Sequence, residues 1–205
     1  MRKFPILTEK EFAVFKKLNT PQKIQDFLNT LPFNFEKQAD TNRSPLETLR
    51  AGTAHCMEGA MLTAAILWYH GQSPLLLDLK TTDDDQDHVV TLFTQDGYWG
   101  AISKTNHGVL RYREPIFKTV RELALSYFSE YFLHDGRKTL RSYSKPFDMS
   151  KLDPEWITSK KDVWNIVRML DTSPHIAIIN KKQIKNLRRA EMVEIAAGKV
   201  VEWPK

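Results

Sequence analysis

A single cysteine, Cys56, occurs in 205 residues. One thiol excludes an internal disulfide and a cysteine-based metal cluster. No stretch approaches the roughly 18 apolar residues of a membrane span, so no membrane association is expected. The start, Met1 to Lys10, has basic residues but no apolar run before Glu9, which predicts that it is not a signal peptide. Internal repeats and low-complexity segments are missing. Neither sign of charge dominates: 30 Lys and Arg face 25 Asp and Glu, a net of +5 that suits an acidic partner without requiring one. Together these absences predict a cytoplasmic protein in a reducing compartment. With 41% hydrophobic and 27% charged residues, a real core is affordable and disorder is not indicated.

What is present centres on the stretch from Ala51 to Gly71. Gly52 opens a loop and Cys56 follows it. The segment behind Cys56 is small or apolar almost all round, through Ala60, Met61, Leu62, Ala64, Ala65, Ile66 and Leu67. A helix apolar on every face is a buried one. Gly71 fits as its C′ residue. Cys56 then falls in the first turn, where unpaired N–H groups and the positive dipole end favour a thiolate. A lone cysteine is often no more than a small buried hydrophobe, so the rest of the chain has to carry the argument.

Ahead of that helix, Thr8 to Glu11 reads as a capping box, with Phe12, Phe15 and Leu18 at helical spacing. Thr20-Pro21 opens a second helix whose inner face is Ile24, Phe27, Leu28 and Leu31. Ser44-Pro45 with Glu47 starts a short helix that stops at Gly52. After Gly71 the pattern turns to strands. Leu75 to Leu79 is a buried run, and His88 to Phe93 pairs with Tyr98 to Ser103 across the turn at Gln95-Asp-Gly97. Val109 to Arg113 reads as a third hairpin strand, ended by Pro115. A helical stripe runs from Val120 to Tyr131. Beyond Gly136, helix starts are expected at Asp153-Pro154, at Ser159 with Asp162, and at Asn180 with Gln183.

The order is helices, a cysteine at a helix start, then strands with His88 heading one of them. It matches the papain-like thiol enzymes, in which an imidazole holds the thiolate and then protonates the leaving amine. Gly52-Thr-Ala-His-Cys56, the small-residue helix behind it, His88 and Gly97-Tyr-Trp99 resemble the transglutaminase-like superfamily over roughly Thr20 to Phe132. The resemblance implies an α+β, transglutaminase-like core at residues 1–135, with the Cys56 helix packed on an antiparallel sheet. A mixed, mainly helical extension at 136–205 would pack on that core. It implies Cys56 as nucleophile and His88 as base. The family's orienting Asp is missing, and Ser103 stands at the matching position. If the turn centres near Gln95-Asp96, His88 lies opposite Ser103. If it centres on Asp96-Gly97, the partner becomes Thr105. Asn106 lies just beyond, so the third member is Ser103, Asn106 or absent.

The implied activity is hydrolysis or acyl transfer on an amide or ester carbonyl through a Cys56 thioester. The substrate would be a peptide or a small amide or ester, and the chemistry needs no cofactor and no metal. The alternative is a binding module that keeps the fold with little turnover. Asp83, Asp84, Asp85 and Asp87 lack the spacing of a calcium loop and read as solvated. His55 neighbours Cys56 but is expected to point elsewhere on the helix start. Trp99 could cover the His88 ring, and His107 reads as a turn histidine. The basic run Lys181 to Arg189 carries Ile184 and Leu187 at helical spacing. It reads as a docked surface helix, because no nucleic-acid reading motif accompanies it. Nothing in the sequence sets the oligomeric state.

Overall fold

The computed structural model describes residues 4–202. The expectations that touch residues 1–3 and 203–205 therefore lie outside the described residues. The first element is a 3₁₀ helix, Lys10–Lys17, rather than a capped α-helix. Thr8 makes no cap, and Glu9 occupies the N-cap without a side-chain bond. The reason is in the spacing: Phe12, Phe15 and Leu18 recur every third residue, and a 3₁₀ helix stacks such residues on one face. All three are buried.

Helix α1 (Pro21–Thr30) begins as expected, with Thr20 accepting from the Lys23 N–H and Pro21 at N1. Helix α2 (Pro45–Ala51) is capped by Ser44 and ends at Gly52, which adopts φ +65°. Helix α3 (Cys56–Tyr69) is buried from Met57 to Trp68. Helices α1 and α2, the sheet and the 3₁₀ turn Pro154–Ile157 all pack against it, and Trp68 stacks on Trp156 with ring centroids 6.4 Å apart. Complete burial of side chains such as Met61, Leu62, Ile66 and Leu67 stabilises by roughly 1.5–3 kcal/mol each. Inside this crowd the Thr91 hydroxyl donates to the Ala60 carbonyl at 2.8 Å, tying α3 to the sheet.

Among the described residues the sheet has seven strands. Four are β1 (Leu75–Lys80), β2 (His88–Gln95), β3 (Tyr98–Ile102) and β4 (Arg113–Phe117), and three are β5 (Ser142–Ser144), β6 (Phe147–Asp148) and β7 (His175–Ala177). Their order is β4-β3-β2-β1-β5-β7, with β6 also on β1, and all named pairings are antiparallel. The stretch after Gly136 thus adds strands to the same sheet as well as helices.

The β2–β3 turn is Asp96-Gly97, with φ +52° and +81° at the two positions. Positive φ at both residues is the two-residue hairpin turn that matches strand twist. The third hairpin strand lies later than expected. β4 contains Pro115 instead of stopping before it, which an edge strand tolerates because one side of its ladder has no partner. Its register shifts between Trp99 and Ala101.

Helix α4 (Val120–Ser126) starts with a Thr119–Glu122 capping box and passes into a 3₁₀ turn, Phe128–Glu130. The start expected at Ser159 is not one. Helix α5 (Trp164–Asp171) begins later with no side-chain cap, and the Ser159 carbonyl instead accepts from the Ser44 hydroxyl at 2.7 Å. Helix α6 (Lys181–Lys185) is capped by Asn180 and is shorter than the basic run. Helix α7 (Met192–Gly198) was not expected, although Glu191 and Glu194 form a capping box there.

Gly59 marks the tightest approach to α3. A Cβ at this position would lie 2.6 Å from Lys104 Cβ and 3.3 Å from Leu28 Cδ1. Gly59→Ala would gain about 1 kcal/mol of helix propensity but incur overpacking of about 1–3 kcal/mol. The expected result of a denaturant melt is a net loss of stability. A variant more stable than the parent would show that α3 and the segment after β3 are not in close contact.

Candidate active site

Cys56 is the N1 residue of α3, partly exposed, at a cavity of about 320 Å³. His88, the first residue of β2, also lines that cavity and is itself buried. Two imidazoles, His55 and His88, act on the thiol. Burial alone would raise the Cys56 pKa, but the two rings outweigh it and bring the thiol down to about 5. At neutral pH the thiolate therefore predominates.

The far side of the His88 ring is fixed by a chain of bonds. His88 Nε2 lies 2.8 Å from Ser103 Oγ. The Ser103 hydroxyl donates its only proton to the Leu110 carbonyl at 2.6 Å, so toward His88 it can only accept. That sets the proton on Nε2 and leaves Nδ1 for Cys56. Ser103 itself cannot drift. Its N–H donates to Gln25 Oε1 at 3.0 Å, and its carbonyl accepts from Gln25 Nε2 at 2.9 Å. Leu110 sits at φ +60°, a costly conformation for a leucine. It is held there by the Ser103 bond to its carbonyl and by its N–H donating to Glu130 Oε2 at 2.6 Å. Glu130 in turn pairs with Arg113 at 2.7 Å.

The register that brings Ser103 to the ring is the second of the two weighed from sequence. Thr91 pairs with Ile102, so continuing the ladder would set His88 opposite Thr105. Ser103 is the diagonal neighbour two residues away on the same face, within reach of a long side chain. Asn106 lines the cavity, but His88 Nε2 is already engaged by Ser103. Its carbonyl accepts instead from the Glu202 N–H at 2.7 Å. Trp99 pairs with Thr94 and Phe117 at the turn end of the hairpin, away from the His88 end.

Several groups at this site escaped the sequence reading. Glu58 on α3 is a fully buried carboxylate. It accepts from the His55 N–H at 3.2 Å, Thr41 Oγ1 at 2.8 Å, the Arg43 N–H at 3.2 Å and Asn34 Nδ2 at 3.1 Å. The spacing His55-x-x-Glu58 is that of a capping box with histidine in the cap position, which is the signal that could have revealed both residues. The hydroxyl of Tyr131, a residue that also lines the cavity, is buried without a hydrogen-bond partner among the described residues, and burial holds its pKa well above the usual tyrosine range. His107, weighed from sequence as a turn histidine beside Asn106, also lines the cavity, and burial lowers its pKa.

The acidic loop is engaged rather than free. Asp84 pairs with Arg137 at 2.7 Å, and Asp87 Oδ1 accepts from the Thr81 N–H at 2.7 Å. Carboxylate oxygens of Asp78, Asp87 and Asp171 come within 4.8 Å of one another. Lys80 pairs with Asp171, and His175 Nε2 lies 3.1 Å from Asp78 Oδ2. These partners offset the crowding of negative charge.

The C-terminal segment closes one side of the cavity. Ile195 and Gly198 of α7 line it. The Gly108 N–H donates to the Val200 carbonyl at 2.7 Å, and His107 bridges Val201. Beneath it, the buried Lys104 donates to the Leu31 carbonyl at 2.6 Å and lies 3.9 Å from Glu202. Burial lowers the Lys104 pKa.

Two outcomes follow from this geometry. A thiolate is the reactive form, so iodoacetamide alkylation of Cys56 should be lost only as pH falls through about 5. A free thiol would lose it near about 8.5. Deleting residues 192–205 should expose the cavity and raise the alkylation rate at fixed pH. An unchanged rate would mean that α7 does not limit access.

A search of curated proteins finds no match to this chain. Residues 9–104 match the model of a protein family described as a transglutaminase-like domain, a stretch that runs from the first 3₁₀ helix through β3 and carries Cys56, His88 and Ser103.

Proposed function

We propose that this protein is a thiol hydrolase or acyltransferase that forms a thioester between Cys56 and the acyl group of an amide or ester. The observation that carries the reading is the ordered proton path at Cys56. The thiol meets His88 on one side of the ring, and the Ser103–Leu110 chain holds the other. The Cys56 thiolate, its proton already held by His88 at Nδ1, attacks the carbonyl carbon. His88 passes the proton to the leaving amine or alcohol as the C–N or C–O bond breaks. Water or an acceptor amine then attacks the thioester, giving its proton to His88, and Cys56 leaves as thiolate. The backbone N–H of Cys56 lies at a helix position with no intrahelical acceptor, where it would help hold the oxyanion.

A peptide or a small amide or ester fits a cavity of about 320 Å³ with one side closed by α7. Ser103 in place of a carboxylate favours a second reading, a binding module with slow turnover. A neutral acceptor stabilises the His88 imidazolium less than a negative charge does.

The test is to incubate the protein with a panel of activated esters and glutamine-containing peptides and to measure its intact mass. The expected result is an acyl adduct on Cys56 that is absent from Cys56→Ala and strongly reduced in His88→Ala. Ser103→Ala should slow adduct formation by about 10–100-fold, the cost of an unpaired or wet Nε2–H of about 1–3 kcal/mol. Ser103→Asp should widen the reactive pH range by stabilising the imidazolium. No adduct with any donor, alongside a reactive thiolate, would favour the binding module.

A further inference from the structure

Outside the Cys56–His88 pair, three carboxylates from separate elements meet beside β1. Asp78 lies on β1, Asp87 directly precedes β2, and Asp171 is the last residue of α5. One oxygen of each lies within 4.8 Å of the other two. Asp78 forms the base of the cluster and is only 3% exposed. Asp87 and Asp171 form an exposed rim.

Each carboxylate is held by one oxygen. Asp78 Oδ2 lies 3.1 Å from His175 Nε2, and that ring is fixed through Nδ1, 2.7 Å from the Ser173 carbonyl. Asp87 Oδ1 accepts from the N–H and the hydroxyl of Thr81 at 2.7 and 3.0 Å. Asp171 Oδ1 pairs with Lys80. The other oxygen of Asp78 stands apart. Asp78 Oδ1 is buried and has no hydrogen-bond partner among the described residues. Leaving such an oxygen without a donor is costly. Lys80 does not relieve it, because both of its hydrogen bonds go to Asp171. Lys80 and His175 thus answer only part of the negative charge gathered here.

We propose that Asp78, Asp87 and Asp171 form a binding site for one hard divalent cation, of the Mg²⁺, Mn²⁺ or Ca²⁺ class, with Asp78 Oδ1 as the inner ligand. An all-oxygen donor set selects this class over softer metals. Two oxygens on opposite sides of an ion at about 2.4 Å are about 4.8 Å apart, so the cluster closes on one ion with little movement. Carboxylates whose second oxygens are already hydrogen-bonded are oriented as metal ligands are. Asp171 also ends α5, where the helix dipole favours a cation. The exposed rim gives the ion a path from solvent, and water completes its coordination. The bound ion joins β1, α5 and the residue immediately ahead of His88. It takes no part in the thioester chemistry, so the proposal stands or falls apart from that reading.

The test is a Mn²⁺ titration of the EDTA-treated protein, read by electron paramagnetic resonance of the free ion, with Ca²⁺ and Mg²⁺ as competitors. The expected result is one Mn²⁺ per chain with a dissociation constant of about 10–1,000 μM, displaced by a competitor. Asp78→Asn keeps the shape of the side chain and removes its charge, and should weaken binding about tenfold or more. Asp171→Asn, at the rim, should weaken it too. Asp83→Asn removes an exposed acid of the same loop outside the cluster, and should leave the affinity unchanged. No binding by the parent at about 10 mM Mn²⁺ overturns the proposal. So does binding that Asp78→Asn leaves intact, which would mean diffuse attraction to an acidic loop. Should Asp78→Asn not fold, Asp171→Asn and Asp83→Asn decide, and equal effects of the two overturn the proposal.

Discussion

The Ser103 hydroxyl has one proton, and the Leu110 carbonyl takes it. That single fact fixes the tautomer of His88 and so decides which ring nitrogen faces Cys56. The bond is maintained by contacts drawn from three parts of the chain. Gln25 on α1 clamps the Ser103 backbone from both sides. Leu110 is held at a positive φ against its own preference. Glu130 and Arg113 hold Leu110 from behind, and the Arg113 guanidinium lies 3.9 Å over the Tyr127 ring. A neutral acceptor behind an imidazole offers less charge stabilisation than a carboxylate, but its position here is closely determined.

The cysteine side rests on a different device. A helix buried on all faces brings its N-terminus to a defined place, and the four N–H groups there need partners. His55 and Glu58 meet part of that need reciprocally. Glu58 goes further, because its two oxygens also gather the Asn34, Thr41 and Arg43 groups of the loop before α2. A buried carboxylate without this set of donors would cost several kcal/mol. The loop is therefore as much a part of α3 as a separate segment. The result is a thiol held between two rings in a partly closed cavity, a setting that favours thiolate despite burial.

The match to a transglutaminase-like domain stops at residue 104, but the cavity does not. Tyr131, Phe132 and residues of α7 complete its wall. Lys104 links the two parts: its stem packs under Gly59, its ammonium caps the end of α1, and its charge faces Glu202 on the last segment. The wall of the cavity at Cys56 is thus built from both the matched stretch and the chain beyond it.

The sequence by itself determined the elements whose signals are local. The buried helix was legible because its residues are apolar in every direction. Its start at Cys56, the Thr20-Pro21 and Ser44-Pro45 caps and the Asp96-Gly97 turn were legible because short-range sterics and hydrogen bonds decide them. The α+β class was what the resemblance to the transglutaminase-like superfamily implied, and the change of pattern from helices to strands after Gly71 agreed with it. Only the tertiary structure decided the rest. Whether His88 met Ser103, Thr105 or Asn106 depended on where the ladder ended and how far a diagonal contact could reach, and no local pattern encodes that. His55 was set aside because neighbours on a helix face apart, yet as an N-cap its side chain folds back over the first turn. Glu58 read as an ordinary helix residue until the loop at 34–43 closed over it. The closing of the cavity by α7 depended on backbone bonds between residues 106–108 and 200–202, about ninety residues apart in the chain. Contacts at that separation arise from packing, because the free energy that fixes them comes from burial of the whole and not from either segment alone.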